Sequence, residues 1–129
     1  MAEPMAPESV AQAVVQRQLD AYNARDLDAW LATYAEDARQ YELAGKLLAS
    51  GHAELRARTE VRFREPDLHA HLLQRSVMGN VVVDHEIVTR NFPEGVGTVE
   101  MVCVYVVSQG LIQTASFEIG SPTMGRRSA

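Results

Sequence analysis

A chain of 129 residues with a formal charge of −5 can bury one core without disulfide or metal staples. Its acidic balance leaves no basic surplus for phosphates and no apolar run reaches bilayer length, which argues against a nucleic-acid or membrane partner. The lone cysteine, Cys103, excludes an internal disulfide framework and fits a reducing compartment.

Residues 1–8 carry neither the basic n-region nor the apolar h-region of a signal peptide, so a cytoplasmic location is expected and the segment reads as a flexible tail. Ser9 and Gln12 have capping-box spacing and open a first helix over about Val10–Ala24. Its apolar stripe is Val10, Ala11, Val14, Val15, Leu19 and Tyr22. Gln18 falls inside that stripe, where an amide must find a partner or line a cavity.

Asp26 is a good N-cap for a second helix, in which Leu27, Trp30, Leu31 and Tyr34 recur at helical spacing. That helix is expected to stop near residues 35–38, with a short strand over Arg39–Leu43 and a loop over 45–51. A third helix runs from about His52 to Arg64 with Leu55, Thr59 and Phe63 on its inner side. Arg56, Arg58, Arg62 and Arg64 interleave with Glu54 and Glu60, the pattern of a solvated face. Arg58 or Arg62 is the candidate for an inward cation facing an anionic ligand.

From Leu68 the chain reads as continuous antiparallel sheet. One strand covers His69–Met78, Gly79-Asn80 is a turn, and Val81–Asn91 follows. Phe92–Gly95 turns into a closing hairpin of two runs, Thr98–Val107 and Leu111–Ile119, joined across Ser108-Gln109-Gly110. Residues 120–129 read as a second flexible tail, leaving 9–119 as a single domain. Three helices and then four long strands make an α+β protein, with helices on one face of a strongly bent antiparallel sheet enclosing a pocket.

This order resembles the NTF2-like (cystatin-like) superfamily, and more narrowly its SnoaL-like and ketosteroid-isomerase-like branch. The carrying stretches are Ala24–Trp30, Tyr34–Ala38, Ser50–Leu55 and Gln109–Gln113. The resemblance implies a cone-shaped fold, a cofactor-independent isomerase or cyclase acting on a small hydrophobic metabolite, or a non-catalytic binder of one. It also implies a homodimer. In the isomerase pattern the general base sits in the short strand after the second helix, where Glu42 stands. The oxyanion donors sit on the first helix and the penultimate strand, where Gln18 and Cys103 stand. The Asp–Arg–Asp constellation of limonene-epoxide hydrolases is not met, since the nearest positions carry His85, Ile87 and Phe117.

Glu42 is thus the candidate base, with an apolar cavity raising its pKa toward a useful range. Period 2 puts Val81, Val83, His85 and Ile87 on one face and Val82, Asp84, Glu86 and Val88 on the other. The first set is the more apolar and is expected to face inward, bringing His85 into the pocket as a second catalytic candidate. Met101, Cys103 and Tyr105 share a strand face that the resemblance turns toward the cavity. With Gln18, Tyr22, Trp30, Tyr34, Thr59, Phe63 and Phe117 they make up the expected pocket wall. His69 and His71 at i, i+2 have no diagnostic metal-ligand spacing, and neither a metal nor a cofactor is expected. The other sheet face would carry Val82, Val88, Val102, Val104 and Val106, apolar enough to be a homodimer seam.

Overall fold

The computed structural model describes residues 9–125. α1 (Val10–Ala24) starts as expected, with Ser9 Oγ accepting from the Gln12 N–H at 3.0 Å. It ends at Arg25, whose left-handed backbone (φ 54°) returns its N–H to the Ala21 and Tyr22 carbonyls. α2 (Leu27–Leu31) is capped by Asp26, which accepts from the Ala29 N–H at 3.0 Å. It is shorter than helical spacing suggests. The Thr33 hydroxyl caps it on the Trp30 carbonyl at 2.6 Å, and the Thr33 carbonyl already accepts from the Ile112 N–H at 2.8 Å. Tyr34 therefore opens a strand, β1 (Tyr34–Glu42), rather than continuing the helix. Tertiary pairing overrides local spacing here.

β2 (Leu47–Ser50) occupies the expected loop and pairs antiparallel with β1 across a register shift at Gln40/Tyr41. α3 (Gly51–Arg62) follows, then β3 (His69–Met78), β4 (Val81–Phe92), β5 (Gly95–Ser108) and β6 (Leu111–Ile119) as an antiparallel run. The β5–β6 turn places Gln109 and Gly110 both in the left-handed region (φ 53° and 78°), which suits a two-residue hairpin. Part of the expected C-terminal tail is strand: β7 (Thr123–Met124) pairs with β5 at Gly97 and Thr98. Gly97 permits that approach, because a Cβ there would lie 2.8 Å from the Thr123 carbonyl. Residues 1–8 and 126–129, the remainder of the two expected tails, lie outside the described residues.

Strand order is β2-β1-β6-β5-β4-β3, and one joint departs from expectation. β1 and β6 run parallel, with Gln40 opposite Ala115 and Glu42 opposite Phe117, so the sheet is mixed. The α+β cone of three helices on one face of the sheet is otherwise as expected. α1 lies across β3, β4, β5 and β6 and packs Val14 and Val15 into a core with Tyr34, Leu55, Cys103, Tyr105 and Ile112. Asn23 clamps the sheet edge: its amide donates to the Ala70 carbonyl at 2.9 Å and accepts from the Ala70 N–H at 2.8 Å.

The faces of β4 are the reverse of those read from the sequence. Val82, Asp84, Glu86 and Val88 are buried under the helices, while Val81, Val83 and His85 are only half-buried. Val82 and Val88 therefore leave the expected dimer seam, and Val102, Val104 and Val106 of β5 stay half-buried on the outer side with Val81 and Val83. Two carboxylates on an inward face look implausible until their surroundings are seen. Asp84, 0% exposed, accepts a fork from Arg75, Nε to Oδ1 at 2.7 Å and Nη2 to Oδ2 at 2.9 Å. Arg75 Nη1 donates to Gln16 Oε1 at 2.7 Å, which ties α1 to β3 and β4. Removing one partner strands a buried charge, so Asp84→Ala should destabilise the fold by about 3–5 kcal/mol in urea denaturation. A loss under about 1 kcal/mol would mean the pair is solvated.

Candidate functional site

Between the helices and the concave side of the sheet lies a cavity of about 100 Å³. The helical side contributes Gln18, Tyr22, Trp30 and Thr59, and the sheet contributes Tyr34, Gln40, Glu86, Met101, Cys103, Tyr105 and Phe117. Trp30 packs against Tyr34 with ring centroids 4.6 Å apart, and Phe63 meets Tyr22 edge-on at 5.4 Å. Phe63 backs these rings from behind and does not itself line the cavity.

Glu86 is the central titratable group. It is 5% exposed, lines the cavity, and its one side-chain partner among the described residues is the Cys103 thiol, which donates to Oε1 at 3.8 Å. Burial pushes its pKa up from 4.5 to about 7, and the nearby Asp84 charge adds to the rise, against smaller opposing effects of Cys103 and Arg75. A carboxyl poised near neutrality on a cavity wall can both take and return a proton.

The wall also holds hydrogen-bonding atoms without a partner. Gln18 and Trp30 are 5% and 2% exposed, and Gln18 Oε1 and Trp30 Nε1 bond to nothing among the described residues. Each unmet group costs about 1–3 kcal/mol unless a guest satisfies it. Burial raises the pKa of Tyr22 to about 12 and pushes Tyr34 and Tyr105 up as well, so all three hydroxyls stay protonated near neutrality. Burial and the Glu86 carboxyl push the Cys103 thiol well above its usual range, which makes it a poor nucleophile.

Three arginines complete the wall: Arg58, Arg62 and Arg90. Arg90 is forked onto Glu65, with Nε to Oε1 and Nη2 to Oε2 both at 2.9 Å. Burial of Glu65 would raise its pKa, but the bonds from Arg90 and the Asn91 N–H and the charges of Arg90 and Arg62 outweigh that and hold it below the usual carboxylate range. Arg58 is exposed while lining the cavity, which places it at the opening, and its Nη1 donates to Gln40 Oε1 at 2.8 Å. Partial burial lowers the pKa of Arg58 and Arg62, and both remain cations near neutrality.

Both catalytic candidates read from the sequence fall outside this cavity. Glu42 shares the parity of Gln40 but ends β1, where its N–H and carbonyl are taken by the turn to Lys46 and Gly45, and its side chain is exposed. Gln40, 2% exposed, occupies the inward position instead. His85 faces the outer side and pairs with Glu100 Oε2 at 3.2 Å. His69 and His71 are exposed on β3, and among the described residues no three His, Cys, Asp or Glu side chains cluster as metal ligands. Gln18, Tyr22, Trp30, Tyr34, Thr59, Met101, Cys103, Tyr105 and Phe117 do line the cavity. Glu86, Gln40 and Arg90 were missed. The signal for Glu86 lay in register: Met101, Cys103 and Tyr105 turned inward bring their partners Glu86, Asp84 and Val82 inward with them.

A helix-covered curled sheet around such a cavity is the NTF2-like, cystatin-fold class, and known structures agree. A cystatin-fold protein from Novosphingobium aromaticivorans is 24% identical, with a TM-score of 0.78 over 87% of this chain and 99% of its own. A candidate SnoaL-like polyketide cyclase from Shewanella denitrificans is 11% identical, with a TM-score of 0.76 over 87% and 91%. A protein of ketosteroid-isomerase-like fold from Catenulispora acidiphila, in complex with trimethylamine, is 12% identical, with a TM-score of 0.71 over 81% and 83%. Identities this low establish the fold alone. The SnoaL-like domain model matches residues 15–115, and the chain belongs to that family. No curated protein matches it. No helix among the described residues is long and apolar enough to cross a membrane.

Folding raises the Glu86 pKa from 4.5 to about 7, so it favours the protonated form. That stabilisation is complete below about pH 4.5, fades as pH rises, and is gone above about pH 7, a swing of roughly 3 kcal/mol. Glu86→Gln lacks it. Relative to wild type, the variant should therefore gain stability between pH 4.5 and pH 8, read from paired urea titrations. A difference that stays constant across that range would remove the perturbed carboxyl.

Proposed function

We propose that this SnoaL-like protein is a cofactor-independent proton-transfer enzyme, an isomerase or cyclase, in which Glu86 is the general base. One observation carries the reading: a carboxyl 5% exposed, held among the described residues only by a thiol at 3.8 Å, lines a cavity, and burial raises its pKa to about 7. The ionised carboxylate takes a C–H proton next to a carbonyl, and the C–H electron pair becomes the enolate double bond. Trp30 Nε1–H and the tyrosine hydroxyls are donors for the oxygen on which charge develops. Glu86 then returns the proton at another carbon, so the sum is an isomerisation with no external reductant or oxidant. The cavity of about 100 Å³ favours a small hydrophobic metabolite over a steroid skeleton.

The second reading is a non-catalytic pocket protein. It is favoured by Gln18 and Cys103, which stand where the resembling isomerases carry acidic donors, and by the raised thiol pKa that makes Cys103 a feeble one. Small enones and β,γ-unsaturated ketones separate the two. Under the enzymatic reading, Glu86→Gln lowers turnover by about 10²–10⁴-fold while leaving ligand affinity nearly unchanged. Wild-type kcat/KM rises as pH passes through about 7. Saturable binding with no product from the wild type would instead make the protein a binder.

The half-buried outer valines, Val81, Val83, Val102, Val104 and Val106, support a homodimer through that sheet face. Sedimentation equilibrium at micromolar concentration should give twice the 14.2 kDa chain mass, and Val104→Lys should halve it. A wild type that sediments as a monomer would remove the dimer.

A further inference from the structure

The charges on the cavity wall do not balance. Arg62 and Arg90 share one carboxylate, Glu65, at 3.4 Å and 2.9 Å. Arg58 has none: among the described residues its side chain bonds only to the neutral Gln40 amide at 2.8 Å. That leaves most of its guanidinium donors free at the opening. Glu86 supplies about half a compensating charge near neutrality, because burial raises its pKa to about 7. A chain of net charge −5 thus presents an electropositive opening to its own cavity. Behind that opening, the wall residues Trp30 and Gln18 carry a buried donor, Nε1–H, and a buried acceptor, Oε1, that have no partner among the described residues.

We propose that the cavity takes a small organic monocarboxylate, its carboxylate held by Arg58 at the opening and its apolar body seated inside. Guanidinium forks match carboxylate geometry, so Arg58 is the group that fixes the orientation of the guest. An apolar cavity of about 150 Å³ accepts benzene, so about 100 Å³ seats a short branched chain, or one small ring that extends into the open mouth. The inference names the substrate class for the catalytic reading above, although carboxylate binding itself does not depend on Glu86 chemistry.

The test is calorimetric titration of the full chain with benzoate, 3-methyl-2-oxobutanoate, benzamide and benzylammonium. Benzoate and the oxo acid should bind, with benzamide weaker by about tenfold or more and benzylammonium showing no binding. Arg58→Gln should lose about tenfold in benzoate affinity and Arg58→Lys should recover part of it, while Glu86→Gln should keep it. Circular dichroism confirms that each variant is folded. If Arg58→Gln does not fold, Arg58→Lys and the benzoate–benzamide comparison on wild type decide. Equal binding of benzamide and benzoate, a preference for benzylammonium, no carboxylate binding, or an unaffected Arg58→Gln would each overturn the proposal. Carboxylate binding through Arg58 with no Glu86-dependent turnover would sink the enzyme and leave this site standing. Glu86-dependent turnover of a neutral enone without carboxylate binding would do the reverse.

Discussion

Asp84 and Glu86, two residues apart on the inward face of β4, set the terms for the rest of the molecule. A buried carboxylate costs several kcal/mol unless something neutralises it. The fold answers the two in opposite ways. Asp84 receives the full fork of Arg75, which is itself steadied by Gln16 on α1. Among the described residues Glu86 receives only a thiol, and it is accommodated by holding its proton to about pH 7. The two are linked, since the Asp84 charge helps to raise the Glu86 pKa and the Arg75 charge opposes that rise. Burial chiefly sets the acidity of the group that faces the cavity, and a structural ion pair behind the wall adjusts it.

The helical side reaches that cavity because of one strand pairing. β1 lies parallel beside β6, which carries Tyr34 and Gln40 to the wall next to Phe117. α3 packs over β1, and its Arg58 can then bond Gln40 at the opening. Antiparallel strands alone would have ended the sheet at β6, leaving no inward amide for Arg58. A strand far from β6 in sequence thus completes the site, and the arginines of α3 are solvated along most of their helix yet enter the cavity at one end.

How much of this is legible in the sequence follows from which forces act locally. The caps at Ser9 and Asp26, the β5–β6 turn and the four-strand run are local chemistry, and they read correctly. The truncation of α2 at Thr33 depends on Ile112, distant in sequence, and the strand over Leu47–Ser50 pairs with nearby Arg39–Tyr41 across a register shift that no turn pattern signals; neither reads correctly. The inversion of β4 has a sharper cause. Ranking faces by apolarity assigns two carboxylates to solvent, which holds unless a partner such as Arg75 waits on the neighbouring strand. Glu42 misled for the complementary reason. Its parity was right, but strand parity does not show where a cavity ends, and Glu42 lies at the turn beyond it.

Energetics also bear on whether Glu86 acts or merely persists. A cavity that only bound an apolar guest would be better served by an apolar side chain, because replacing a buried charge with a hydrophobe of similar size is often neutral or stabilising. Glu86 instead leaves the fold weaker as pH rises toward 7 and, among the described residues, has neither a bidentate partner nor a network to specify a register. The same wall carries the unmet Gln18 Oε1 and Trp30 Nε1. Three such costs converge on one small volume while the core around them is closely packed. Departures from local optimality concentrated at one place are what a site held ready for chemistry requires. The proton-transfer reading accounts for all three costs, with a base near neutrality, a donor for developing charge, and an amide to orient what binds.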